Sequence, residues 1–127
     1  MDKTAMVTID VSRGSEILDV LDRAKLKVSV ALWAYLSEYE DWRLVLAGRG
    51  LDSPDPRDAY GAVGAALAAS GLTPQRTPTI LILPTKDPFV RSLRRIFGKT
   101  RSVEGMRLGG QMIGDRFLED AYVYRIA

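Results

Sequence analysis

Two Asp-Pro pairs, Asp55-Pro56 and Asp87-Pro88, constrain this 127-residue chain more than any other feature. Aspartate offers a side-chain acceptor to the first free amides of a helix, and proline at the first helical position needs no donor there. Each pair therefore predicts a helix start. Between the two helices stands Thr79-Ile80-Leu81-Ile82-Leu83, an unbroken apolar run bounded by Pro78 and Pro84. That is the pattern of a fully buried strand. Helix, strand, helix in succession points to a sheet with crossover connections.

The helix opening at Asp55-Pro56 is expected to reach about Ser70 and stop at Gly71, placed as a C-terminal cap. Its middle, Ala59 to Ala69, is almost all small residues, which predicts close packing on a sheet or another helix rather than a ligand loop. The helix opening at Asp87-Pro88 should end at Gly98. An earlier helix is expected over Val11 to Ala24, where Ile17, Leu18 and Leu21 recur at helical spacing. Gly14 weakens its first turn by about 1 kcal/mol relative to alanine, allowing a start as late as Ser15. Met6 to Asp10 alternates well enough to make a short strand instead.

From Val28 to Ser37 the period changes to two. Val28, Val30, Leu32, Ala34 and Leu36 fall on one face, and Ser29, Ala31, Trp33, Tyr35 and Ser37 on the other. Both faces are largely apolar, as in a central strand covered on both sides. Glu38 to Asp41 makes a polar turn, and Trp42 to Ala47 returns as the second strand of an antiparallel hairpin. Gly105, Gly109, Gly110 and Gly114 exclude a long helix near the end of the chain. Two strands, about Gly105 to Ile113 and Ala121 to Ile126, joined near Gly114-Asp115, are expected there. The order α-β-β-α-β-α-β-β predicts an α/β or α+β fold, one domain over 1–127. Its mixed five-stranded sheet carries three packed helices, the second and third acting as crossovers between parallel neighbours.

The chain contains no histidine and no cysteine. The commonest general acid–base, the commonest metal ligand and the thiolate nucleophile are therefore all missing. A divalent metal would need oxygen ligands alone, and disulfides are impossible. Carboxylates, Lys, Tyr, Ser and Thr remain, and no motif selects a catalytic residue, a metal site or a cofactor. Met1-Asp2-Lys3-Thr4 lacks the pattern of a signal peptide, and the run from Val28 to Ser37 is far too short to cross a bilayer. A cytoplasmic location without membrane contact is the expectation.

Charge is distributed unevenly. Residues 1–60 carry eight Lys and Arg against eleven Asp and Glu, whereas 61–127 carry ten against five. The polarity concentrates in the third helix. At 100° per residue, Phe89, Val90, Leu93, Ile96 and Phe97 share an apolar arc, and Arg91, Arg94 and Arg95 lie opposite. Lys99 and Arg101 follow directly, Arg107 stands further on, and no acidic residue occurs from Phe89 to Val103. Arg91, Arg94, Arg95, Lys99 and Arg101 thus form a candidate nucleic-acid or anion-binding surface, since guanidinium forks bind phosphates bidentately. A solvated helix face, with cations favoured by the dipole at its C-terminal end, uses the same residues.

Other features carry less. Gly98-Lys99-Thr100 resembles the end of a phosphate-binding P-loop, but the required earlier glycine is Leu93, and a helix rather than a strand leads in. Glu38, Glu40 and Asp41 crowd one turn as candidates for an oxygen-ligand metal site, whereas of Asp52, Asp55 and Asp58 in the next loop Asp55 is explained as a cap and Asp58 by the first helical turn. Pro84-Thr85-Lys86-Asp87 lies between a strand end and a helix start, where α/β folds often bind ligands. Trp33, Tyr35, Trp42, Tyr122 and Tyr124 suit core or interface packing better than a stacking platform.

The first functional expectation is a non-enzymatic interaction module that self-associates, as in a homodimer, or binds a partner protein. The alternative is nucleic-acid or other polyanion binding through the basic third helix. A carboxylate- or metal-dependent nuclease or phosphate-handling enzyme comes last.

Overall fold

The computed structural model describes residues 8–72, 79–100 and 103–127. Helix α1 spans Thr8–Arg23, and the hairpin follows as β1 (Val28–Leu36) and β2 (Asp41–Gly48). After a single 3-10 turn at Arg49–Leu51 come α2 (Pro56–Ser70), β3 (Ile80–Ile82) and α3 (Pro88–Phe97). The chain ends in β4 (Arg107–Leu108), β5 (Gln111–Ile113) and β6 (Arg116–Ile126). The strands form one mixed sheet in the order β3-β2-β1-β6-β4, with β5 also paired to β6. Only β2 and β3 run parallel.

The hairpin registers Trp33 on Leu44 and Tyr35 on Trp42, and β6 covers the other edge of β1. The double apolar pattern of β1 follows from this central place. Val30, Leu32, Ala34 and Leu36 pack toward α3 with Phe89, Val90 and Leu93. Ala31 and Trp33 pack toward α1 and α2, with Ile17, Leu21, Val63 and Leu67. The sheet is therefore the middle of three layers. Each fully buried large side chain contributes roughly 1.5–3 kcal/mol through removal from water.

Both Asp-Pro signals mark helix starts in the structure. The Asp55 carboxylate accepts from the Arg57 amide at 3.0 Å, and the Asp87 carboxylate from the Phe89 amide at 2.9 Å. Gly71 ends α2 in the left-handed conformation, φ 86°. Helix α2 is the expected crossover between the parallel strands β2 and β3.

Several expectations need correction. Helix α3 joins no parallel neighbours: it carries the chain from β3 at one edge of the sheet to β4 and β5 at the other. Strand β3 is half-buried rather than fully buried, because it is an edge strand with a neighbour on one side only. The expected strand over Gly105 to Ile113 is divided into β4 and β5, and β6 begins at Arg116 rather than Ala121. The small-residue stretch of α2 does not pack closely throughout. A Cβ on Gly61 or Gly64 would meet nothing within 4 Å. Helix α1 begins at Thr8, so Thr8, Ile9 and Asp10 belong to it and to no strand; Met6 and Val7 lie outside the described residues.

Candidate polyanion-docking face

The inner face of α3 fixes the outer one. Phe89, Val90 and Leu93 are completely buried, and Ser92 beside them is nearly so. With that side against the sheet, the 100° step turns Arg91, Arg94 and Arg95 outward, and all three are exposed. Lys99, in the turn beyond the helix, is also exposed. Arg101 lies outside the described residues. Ile96 corrects the apolar arc: it is 51 % exposed, although it was expected inside. Phe97 is half-buried against the same core.

These cations differ electrostatically from five of the eight described arginines outside α3. Arg13 pairs with Glu16, Arg57 with Asp55, Arg107 with Asp120, Arg116 with Glu38 and Asp87, and Arg125 with Asp22. Arg91, Arg95 and Lys99 form no ion pair among the described residues. Arg94 donates its Nε to the backbone oxygen of Ala127 at 2.8 Å, which ties α3 to the end of β6 and keeps that side chain in place. Arg91, Arg95 and Lys99 therefore stand exposed without an ion-pair partner among the described residues, with Arg94 beside them. The dipole accounts for Arg94 and Arg95 in the last turn, but not for Arg91 near the middle of the helix.

The opposite end of α3 has the reverse character. The turn between β5 and β6 touches it there: a Cβ on Gly114, φ 60°, would stand 2.6 Å from the Pro88 carbonyl carbon. Asp115 sits in this turn and is exposed. Asp87 caps the helix and lies 3.8 Å from Arg116. Arg116 in turn pairs with Glu38 of the first hairpin. The guanidinium of Arg43 lies 4.0 Å from the ring centre of Tyr39, in the same hairpin turn. Burial pulls the Arg116 pKa down, but the Tyr39 hydroxyl and the Glu38 and Asp87 carboxylates together raise it. Nothing in the sequence announced this cluster, because its members come from three separate segments that only the folded sheet brings together.

The hairpin carboxylates are thereby dispersed. Glu38 is engaged by Arg116, Asp41 accepts from the Trp42 amide at 2.8 Å, and Glu40 adopts φ 51° in the turn. No three acidic side chains among the described residues are arranged to hold a metal. The segment before α3 is also occupied by structural contacts. Thr85 donates through its amide and its hydroxyl to the Asp52 carboxylate, at 2.9 and 2.6 Å. Trp33 is buried, while Tyr35 with Trp42 and Tyr122 with Tyr124 form edge-to-face pairs. Register and alternation place all five aromatics on the α1 and α2 side of the sheet, away from the cations.

A cleft of about 190 Å³ lies between α1 and the end of α2, lined by Glu16, Asp19, Val20, Arg23, Ser70 and Leu72. It is small for a ligand site, and its lining brings no polar groups into a catalytic arrangement. Among the described residues, no helix is long and apolar enough to cross a membrane. Compared with protein-family models, curated proteins and solved structures, the chain matches none.

Proposed function

We propose that this chain is a binding domain whose working surface is the outer face of α3 and whose partner is a polyanion. One observation carries the reading: Arg91 and Arg95, with Lys99 in the turn that follows, are exposed and without an ion pair among the described residues, on a helix whose other side is locked into the core. Uncompensated like charges repel one another, and an anionic partner relieves that repulsion while releasing its own counterions. The interaction is specified by charge and position, and needs no cavity.

Retention of the intact chain on a heparin matrix tests this reading. Changing Arg91 and Arg95 together to Glu should abolish retention at moderate salt while leaving the thermal transition nearly in place. Equal retention of the variant and the native chain would overturn the assignment.

A second surface supports self-association. Met112 and Phe117 stand directly opposite each other on β5 and β6, 60 % and 40 % exposed. A paired apolar contact of this kind suits a second copy better than water. Sedimentation over a range of concentrations should show a dimer that Phe117→Ser converts to monomer; a monomer throughout removes this reading.

A further inference from the structure

We propose that the polyanion docked on α3 is the sugar–phosphate backbone of a single-stranded nucleic acid, held without reading its bases; this rests on α3 being the docking face. Arg91, Arg95 and Lys99 follow one another at intervals of four residues. At 1.5 Å per residue, Arg91 and Arg95 stand about 6 Å apart along the axis of α3, and Lys99 follows in the turn beyond the helix. Neighbouring phosphates on an extended strand are separated by a comparable distance. The two guanidinium forks can each take two oxygens of one phosphate, and the Lys99 ammonium adds a point charge. Arg94 stands beside this line with its Nε already committed to Ala127, so its remaining donors point from a fixed position.

Among the described residues, the outer face offers no ring on which a base could stack. The two rings of α3, Phe89 and Phe97, belong to the core side, so no aromatic platform lies beside the cations for a base to stack on. Contacts to phosphates position a nucleic acid but carry no sequence information. Affinity should therefore be indifferent to base order.

The charge pattern along the helix favours a flexible strand over a duplex. The cations occupy the middle and the C-terminal end, whereas Asp87, Asp115 and Glu38 gather around the N-terminal end. A single strand can follow the cations and turn away before the acidic end. Duplex DNA, stiff over roughly 150 base pairs, cannot bend within one short helix. Insertion of the helix into a major groove usually leads with its N-terminal residues. Here that end is acidic and covered by the β5–β6 turn.

Fluorescence anisotropy of the intact chain tests the proposal. The probes are single strands of about a dozen nucleotides in two unrelated sequences, a duplex of the same length, heparin, and vesicles containing anionic lipid. Both single strands should bind alike, at least about tenfold tighter than the duplex and the vesicles. Three phosphates engaged at a slope of about 0.7 each predict that log K falls with log salt by a slope near −2. Arg95→Gln should reduce that slope by roughly 0.7. A duplex or vesicle preference, a strong difference between the two sequences, or a slope unaltered by Arg95→Gln would overturn the inference. Failure of the strands while heparin still binds through Arg91 and Arg95 defeats this inference and leaves the docking face intact. Failure of heparin as well defeats both.

Discussion

Gly14 of α1 lies directly against Tyr124 of β6, whose hydroxyl donates a hydrogen bond to the Val11 carbonyl at 2.6 Å. A Cβ at position 14 would stand 2.7 Å from the Tyr124 ring carbon that bears the hydroxyl, and 2.8 Å from the Trp33 indole nitrogen. Glycine here is a condition of the helix lying down on the sheet. Gly14→Ala should therefore destabilise the protein by about 1–2 kcal/mol, overpacking outweighing the gain in helix propensity. Gly61→Ala or Gly64→Ala, the same change in open space on α2, should stabilise by roughly 0.5–1 kcal/mol. Midpoints of urea unfolding compare the two, and equal signs at positions 14 and 61 would refute this account of α1.

The two kinds of glycine were not separable in the sequence. Gly14 read as a weak point in a helix, and Gly61 and Gly64 as sites of close packing; the structure reverses both. Capping signals were legible because they act between residues two apart in the chain, as Asp55 with Arg57 and Asp87 with Phe89 do. Alternation in β1 was legible for the same local reason. Contacts between distant segments left no such trace. The approach of Tyr124 to Gly14, the meeting of Glu38 with Arg116 and the edge position of β3 all depend on tertiary placement. The outward turn of Arg91, Arg94 and Arg95 was readable from helical periodicity, but the tie of Arg94 to Ala127 and the lack of ion pairs at Arg91 and Arg95 among the described residues were not.

Acid should loosen the clasp between α1 and β6. Arg125 donates to both carboxylate oxygens of Asp22, at 2.9 and 2.8 Å, and also to the Val28 carbonyl at 2.9 Å. The Arg125 hydrogen bonds hold the Asp22 pKa below its ordinary value, although burial acts the other way. A depressed folded pKa contributes stability that is fully present above the unfolded value, near pH 4, and is lost as pH falls through the folded value. Asp22→Asn should be less stable than the native chain at neutral pH, with the gap narrowing below about pH 4. A gap that stays constant from neutral pH into acid would contradict this contribution. The pair is partly exposed, so the effect should be modest.

The two sides of α3 should separate cleanly under mutation. Phe89→Ala should cost about 3–5 kcal/mol through lost burial and the cavity left behind. Arg95→Ala and Ile96→Ala should each cost under about 1 kcal/mol, since both side chains are exposed. Denaturant unfolding measures all three. A loss at Arg95 approaching that at Phe89 would make the arginine a structural partner and remove it from the docking face.

The free edge of the sheet carries a specific guard. Tyr60 of α2 accepts a hydrogen bond from the Ile82 amide at 2.9 Å, occupying a donor that β2 does not use. Edge donors left open are templates for pairing with another chain. Tyr60→Phe should speed hydrogen exchange at the Ile82 amide and lower stability by no more than about 1 kcal/mol. Unchanged exchange at Ile82 would show that the hydroxyl does not protect it.

Backbone and side-chain NMR shifts, followed while a single-stranded oligonucleotide is titrated into the intact chain, test the docking face most directly. The largest changes should fall on the Nε–H signals of Arg91 and Arg95 and on the amides from Arg94 to Thr100, with the β5–β6 turn scarcely moved. Changes centred on Met112 and Phe117, or spread evenly over the cations of the whole surface, would contradict the assignment of α3 as the working face.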